Sequence, residues 1–184
     1  IAKKLKTEII SCDSRQFYKE LKIGSAPPSK KELSQIKHHF IHNLSINQDY
    51  NVGKFEVEAI KLIKKLHKTN DTIIIVGGSG LYIDAICKGF DELPEISKKT
   101  RNKINLQYQQ KGLGWLQNKV KEIEPETYSN YELRNPQRLL RIVEIYEETG
   151  KKLSSFKLHK TKIRPFETIK IGLNIERDLL YNQI

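Results

Sequence analysis

Three short stretches of this chain carry side chains that can do chemistry. Asp13, Ser14, Arg15 and Gln16 follow directly on residues 8–12, an apolar, partly β-branched run that reads as a short buried strand. An acid at the carboxyl end of a parallel strand stands where open α/β sheets bind ligands. There it can accept a proton or a hydrogen bond from a substrate amine or hydroxyl. The same aspartate is equally suited to capping a following helix, and spacing leaves both roles open. Arg15 and Gln16 suit a polar site, but they are also common on exposed helices.

The second stretch is VGGSG at residues 76–80. Gly77 and Gly78 let backbone approach a ligand closely, and Ser79 brings a hydroxyl, although glycine pairs also simply turn chains. It is not a Walker A loop, because GxxxxGK[ST] occurs nowhere in these residues. The third stretch is NPQRLLR, residues 135–141. It sets Arg138 and Arg141 one turn apart on one helical face, with Gln137 beside them and Arg134 just before. Such a donor cluster suits phosphates or base edges. Pairing with Glu144, Glu147 or Glu148 on the same helix is the alternative, and Arg101 on another helical segment is equally open. His38, His39 and His42 lack supporting cysteine or carboxylate spacing, so no metal site is expected there.

These residues need a scaffold, and the pattern supplies one. Residues 72–76 form a strand without alternation, as expected where both faces of a parallel sheet are covered. A second short strand is expected at 38–44. Phe55, Ala59, Leu62, Ile63 and Leu66 recur at helical spacing, and residues 81–88 form a helix closed by Gly89. Residues 95–160 show only helical segments, at 96–110, 113–123 and 136–149, with Trp115 and Tyr128 expected in their core. The last has Asn135 as N-cap, Pro136 at its first position and Gly150 beyond its end. Ile169, Ile171 and Leu173 alternate, predicting a strand over 166–174 that returns to the sheet, and a further helix begins near 176. The layout is an α/β core, 1–94 and 161–184, with a helical insertion over 95–160.

The chain has 184 residues, 38% hydrophobic and 30% charged, and a formal charge of +11. That size supports one domain with a core and a small second lobe. The charge favours an anionic partner, nucleic acid above all, although a lysine-rich solvated surface gives the same balance. No stretch approaches a membrane span and no signal peptide is expected. Cys12 and Cys87 are expected to be buried free thiols in a reducing cytoplasm. Without a methionine, and opening on what reads as the last turn of a helix, the chain is expected to be a fragment.

Taken in order, ISCDSRQFYKELKIGSA, HHFI, YNVGKFEVEA, VGGSGLYIDAICKG and NPQRLLRIVEIYEETGK resemble the tRNA dimethylallyltransferases, or isopentenyl transferases, over nearly the whole chain. The resemblance implies a P-loop-kinase-like, nucleotide- and ATP-binding α/β core with a helical insertion, in a cytoplasmic, monomeric enzyme. It implies transfer of the dimethylallyl group of dimethylallyl diphosphate, with Mg2+, to the exocyclic amine of the adenosine 3′ to the anticodon. The tRNA anticodon stem-loop would lie between core and insertion. Asp13 would match the general base that hydrogen-bonds the adenine amine. Asp13, Ser14, Arg15 and Gln16 would match one tRNA-contacting segment, and Gln137, Arg138, Leu139, Leu140 and Arg141 another. Ser79 stands where the family more often has threonine, and Arg101 matches a further tRNA-contacting arginine. The family's GPTASGKT loop and C-terminal helices do not occur in these residues, so the diphosphate- and magnesium-binding groups are not named. An adenylate isopentenyltransferase, a non-catalytic basic RNA-binding module and a P-loop nucleotide kinase are the competing readings.

Overall fold

The computed structural model of the chain describes residues 1–156 and 161–183. Strands β1 (Ile9–Ser11), β2 (His38–His39) and β3 (Ile74–Val76) form a parallel sheet in the order β2-β1-β3. β1 is central, with Ile9 and Ile10 beside His38 and His39, and Ile9, Ile10 and Ser11 beside Ile74, Ile75 and Val76. Its burial follows from that place: Ile10 and Cys12 are wholly enclosed. The helices are α1 (Ala2–Leu5), α2 (Lys30–Gln35), α3 (Val52–Leu66), α4 (Gly80–Lys88), α5 (Lys98–Ile123), α6 (Pro136–Thr149) and α7 (Arg177–Gln183).

Two expectations about strands need correction. β2 ends at His39 rather than running to 44, because Phe40 (φ 60°) and His42 (φ 49°) adopt left-handed backbone that breaks an extended ladder. The chain instead turns so that the amides of His42 and Leu44 donate to the carbonyls of Gln16 and Phe17, at 2.8 and 2.9 Å. Residues 166–174 form no strand either. Ile169, Ile171 and Leu173 are 89%, 82% and 99% exposed. Alternation defines a face but supplies no ladder. Three polar tethers hold the preceding and central residues against α4 instead. Lys162 N donates to Lys88 O at 2.7 Å, Arg164 to Ala85 O at 2.6 Å, and Lys170 pairs with Asp84 at 3.2 Å.

The chain divides into two units. The first comprises Ile1–Gln48, Leu62–Lys88 and Lys162–Ile184; the second comprises Asp49–Lys61 and Gly89–Thr161. In the first, Phe17 is fully enclosed and meets Phe40 and Tyr82 with ring centroids 6.0 and 5.6 Å away. These contacts seat the turn after β1 against the segment after β2 and against α4. The second unit packs α5 against α6 around Ile104, Leu116, Val120, Leu139, Ile142 and Ile145. Gly112 (φ 75°, ψ −174°) breaks α5 between the two helical segments expected from sequence. Trp115 and Tyr128 pack against this core as partly buried side chains. The expected limit of the insertion at residue 160 lies outside the described residues.

The buried carboxylate of Glu124 ties the second unit together at the end of α5. It accepts from Thr127 Oγ1 at 2.6 Å, Tyr131 OH at 2.5 Å and Ser154 N at 3.0 Å. Burial pushes its pKa up, and the donated hydrogen bonds outweigh this and bring it below the usual carboxylate range. Burial, and then the hydrogen bond to Glu124, push the Tyr131 hydroxyl up to about 12. No described helix is long and apolar enough to cross a membrane.

Candidate active site

The ends of β1 and β3 meet so closely that only glycine fits between them. A Cβ on Gly77 would stand 2.3 Å from the Cys12 carbonyl carbon and 2.7 Å from the Asp13 amide. The Cys12 amide donates to Val76 O at 2.6 Å, and the Ser79 amide to Cys12 O at 3.3 Å. This contact brings two sequence-distant motifs together. Ser79 Oγ accepts from the Ser14 amide at 2.9 Å and lies 3.0 Å from Ser14 Oγ. Asp13, Ser14, Arg15, Ser79, Gly78 and the loop 24–26 line a cavity of about 400 Å³.

No helix follows Asp13; residues 14–17 form a turn. Asp13 Oδ1 accepts from the Arg15 amide at 2.9 Å and so closes that turn. Among the described residues its other oxygen accepts no hydrogen bond. The helix-capping role left open by spacing therefore falls away: Asp13 closes a turn through one oxygen, and the other is available to a ligand. Arg15 is exposed. Cys12, immediately before, is not a candidate nucleophile. Burial, followed by the charges of Cys87 and Asp13, pushes its thiol up to about 12.

Gln16 is placed differently from its neighbours. Its Nε2 donates to the carbonyls of Ser25 and Ala26, both at 3.0 Å, and its Oε1 accepts from Ser11 Oγ at 3.0 Å. Ser11, Ser25 and Ala26 are not among the site residues expected from the sequence. The usable signal was Ala26 standing between a glycine turn and two prolines.

In the second unit, Arg134, Gln137 and Arg138 are exposed near the start of α6. Arg138 lies 3.7 Å from Glu132 rather than pairing along its own helix. Arg141 donates to Pro94 O at 3.0 Å and stands 3.9 Å from Glu144, which is also 3.9 Å from Arg101 on α5. Burial raises the Glu144 pKa, opposed by Arg101 and then Arg141. Glu147 pairs with Lys103 at 2.7 Å, and Glu148 accepts from Ser97 at 3.0 Å. Leu139 and Leu140 are 0% and 4% exposed. They are core residues that hold α6 in place, and their side chains do not face solvent. Glu144 was the residue missed as a partner shared by both arginines.

Among the described residues no group of three or more His, Cys, Asp or Glu side chains is placed to hold a metal. His39 is paired with Glu8 instead, across the start of the sheet. With Asp13 the sole carboxylate lining the cavity, these residues do not form a magnesium site by themselves.

A parallel α/β sheet with a helical second unit is the arrangement of the P-loop-kinase-like fold class, to which the solved tRNA isopentenyltransferases that this chain matches belong. Residues 16–184 match the family described as IPP transferase, and the chain belongs to that family. It is 50% identical over 191 residues to the tRNA dimethylallyltransferase of Flavobacterium psychrophilum, covering 100% of this chain and 62% of the relative. It is 42% identical over 184 residues to that of Cytophaga hutchinsonii, covering 100% of this chain and 60% of the relative. The chain thus spans about three fifths of the length of these curated relatives. The crystal structure of the full-length tRNA isopentenylpyrophosphate transferase from Bacillus halodurans matches with TM-score 0.57 and 29% identity. That match covers 99% of this chain and 56% of the other. A eukaryotic dimethylallyltransferase solved acting on tRNA shares the fold, with TM-score 0.66 over 89% of this chain and 40% of that one, at 24% identity.

Proposed function

We propose that this chain forms the acceptor-binding part of a cytoplasmic, monomeric tRNA dimethylallyltransferase. It transfers the dimethylallyl group of dimethylallyl diphosphate to the exocyclic amine of the adenosine 3′ to the anticodon. The observation that carries this reading is the cavity lined by Asp13, Ser14 and Ser79, in which Asp13 keeps one oxygen without a hydrogen bond among the described residues. Membership of the IPP transferase family and the activity for which the relatives are named support it.

An adenine amine is a poor nucleophile because its lone pair is delocalised into the ring. The extruded base enters the cavity, and unstacking it costs a few kcal/mol. The amine nitrogen attacks the allylic C1 as the C1–O bond breaks. The electron pair of that bond leaves with the diphosphate, and the proton lost by the amine passes to the Asp13 carboxylate. Fixing amine and carboxylate together supplies orientation and acid–base assistance. Ser79 and Ser14 hold each other's hydroxyls at the rim and can orient the base edge. Arg134, Gln137, Arg138 and Arg101, exposed on the second unit, are proposed to meet RNA phosphates. Magnesium is proposed to arrive with the diphosphate, whose oxygens are its ordinary ligands.

The test uses the complete protein, labelled dimethylallyl diphosphate, and either tRNA or AMP. Label transferred to tRNA is the expected outcome. Label found only in AMP replaces the reading with an adenylate isopentenyltransferase. RNA binding with no transfer to either acceptor leaves a binding module.

A further inference from the structure

We infer that Gln16 is a positioning residue, which fixes the far wall of the Asp13 cavity instead of contacting RNA itself. This rests on the cavity being the acceptor site. Its hydrogen-bonding groups are nearly all committed. Both Nε2 hydrogens point at carbonyls, those of Ser25 and Ala26 at 3.0 Å, and Oε1 takes the Ser11 hydroxyl at 3.0 Å. Only one lone pair on Oε1 is left for a ligand. The amide orientation follows from chemistry, because the reverse would set its oxygen against two carbonyl oxygens.

Apart from the Ser25 hydroxyl, which donates to Leu21 O at 2.5 Å, the wall it holds depends on Gln16. Gly24 (φ 76°) and Ala26 (φ 43°) both lie in left-handed backbone, which a residue carrying a Cβ adopts only when its surroundings enforce it. Pro27 and Pro28 follow and have no N–H to donate, so their backbone adds no amide hydrogen bond to the loop. Gln16 also belongs to the turn that carries Asp13, its amide donating to Asp13 O at 3.1 Å. One side chain therefore spans from the turn that carries the proposed base to the loop 24–26, which lines the same cavity. The distance between these walls sets how closely an adenine can be held against Asp13.

The test compares Gln16→Asn, Gln16→Ala and Gln16→Glu in the complete protein. Three quantities are read: amide hydrogen exchange over residues 23–29, kcat for prenyl transfer, and the Kd of an anticodon stem-loop RNA by fluorescence anisotropy. Exchange should rise locally and kcat fall in the order Asn, Ala, Glu, since the glutamate faces two carbonyl oxygens. For Gln16→Ala the loss in kcat should reach at least about tenfold, with RNA Kd within about twofold of wild type. Unchanged exchange overturns the inference. So does an RNA Kd weakened about tenfold with kcat retained, the signature of a direct RNA contact. If the wild-type protein transfers nothing to tRNA, the proposed function fails, and the exchange measurement alone still decides the role of Gln16.

Discussion

Asp13 closes a turn and is the proposed base, two roles that its two oxygens can divide. Oδ1 is engaged by the Arg15 amide, and among the described residues the other oxygen accepts no hydrogen bond, in a side chain that lines the cavity. Asparagine separates the roles, because its side-chain carbonyl keeps the turn while the proton acceptor is lost. Asp13→Asn should therefore fold normally and bind RNA within about threefold of wild type, yet lose at least about two orders of magnitude in kcat. Single-turnover transfer beside anisotropy checks both halves, and retained turnover would reduce Asp13 to a turn residue. The aspartate, its neighbours and Ser79 were all legible in the sequence, since acids and glycines after strands follow from sheet geometry. The commitment of Gln16 to Ser25 and Ala26 was not. Which of two walls a glutamine faces depends on tertiary placement, which no local pattern encodes.

At the scale of elements, the helical unit depends on how α5 ends. Glu124 receives three hydrogen bonds there, from Thr127, Tyr131 and the Ser154 amide. Its folded pKa lies below the usual carboxylate range. A carboxylate shifted in that direction stabilises the fold fully above its unfolded pKa, and that stability is lost as pH falls through the folded one. Melting temperature should drop as pH falls below the ordinary glutamate range, and Glu124→Gln should flatten that drop while costing about 2 kcal/mol at neutral pH. Thermal unfolding followed by circular dichroism across that range measures it, and an equally steep acid loss in the variant would exclude Glu124 as its source. Helix existence was readable here from caps and breakers, as with Asn135, Pro136 and Gly112. Strand extent was not. Phe40 and His42 turn left-handed where apolar residues suggested continuation, and Ile169 to Leu173 alternate without a neighbouring ladder.

For the molecule as a whole, the positive charge is unevenly spread. Basic side chains clearly outnumber acidic ones in the first unit, as in Arg15, Lys19, Lys22, Lys30, Lys31 and Lys37 against Glu20 and Glu32. The second unit is nearly balanced, with Arg141 and Arg101 both close to Glu144. Composition alone pointed to a polyanion without saying which arginines are available for it. Arg138, 56% exposed, should reduce the slope of log K against log salt for RNA by about one when changed to alanine. Arg141, bonded to Pro94 O, should leave that slope unchanged on the same substitution and lower thermal stability instead. Salt titrations of stem-loop binding compare the two, and a matching loss of slope for Arg141→Ala would show that its contact with Glu144 yields to phosphate.

The ribbon from residue 163 to 173 has a further consequence. Ile163, Ile169, Ile171 and Leu173 stand almost bare to water beside backbone that no strand accompanies. Two such ribbons from separate molecules have what they need to zip together edge to edge. Left uncovered, such a stretch should favour association at high concentration, which light scattering across a dilution series would detect. Whatever covers it therefore protects solubility, quite apart from any part in chemistry.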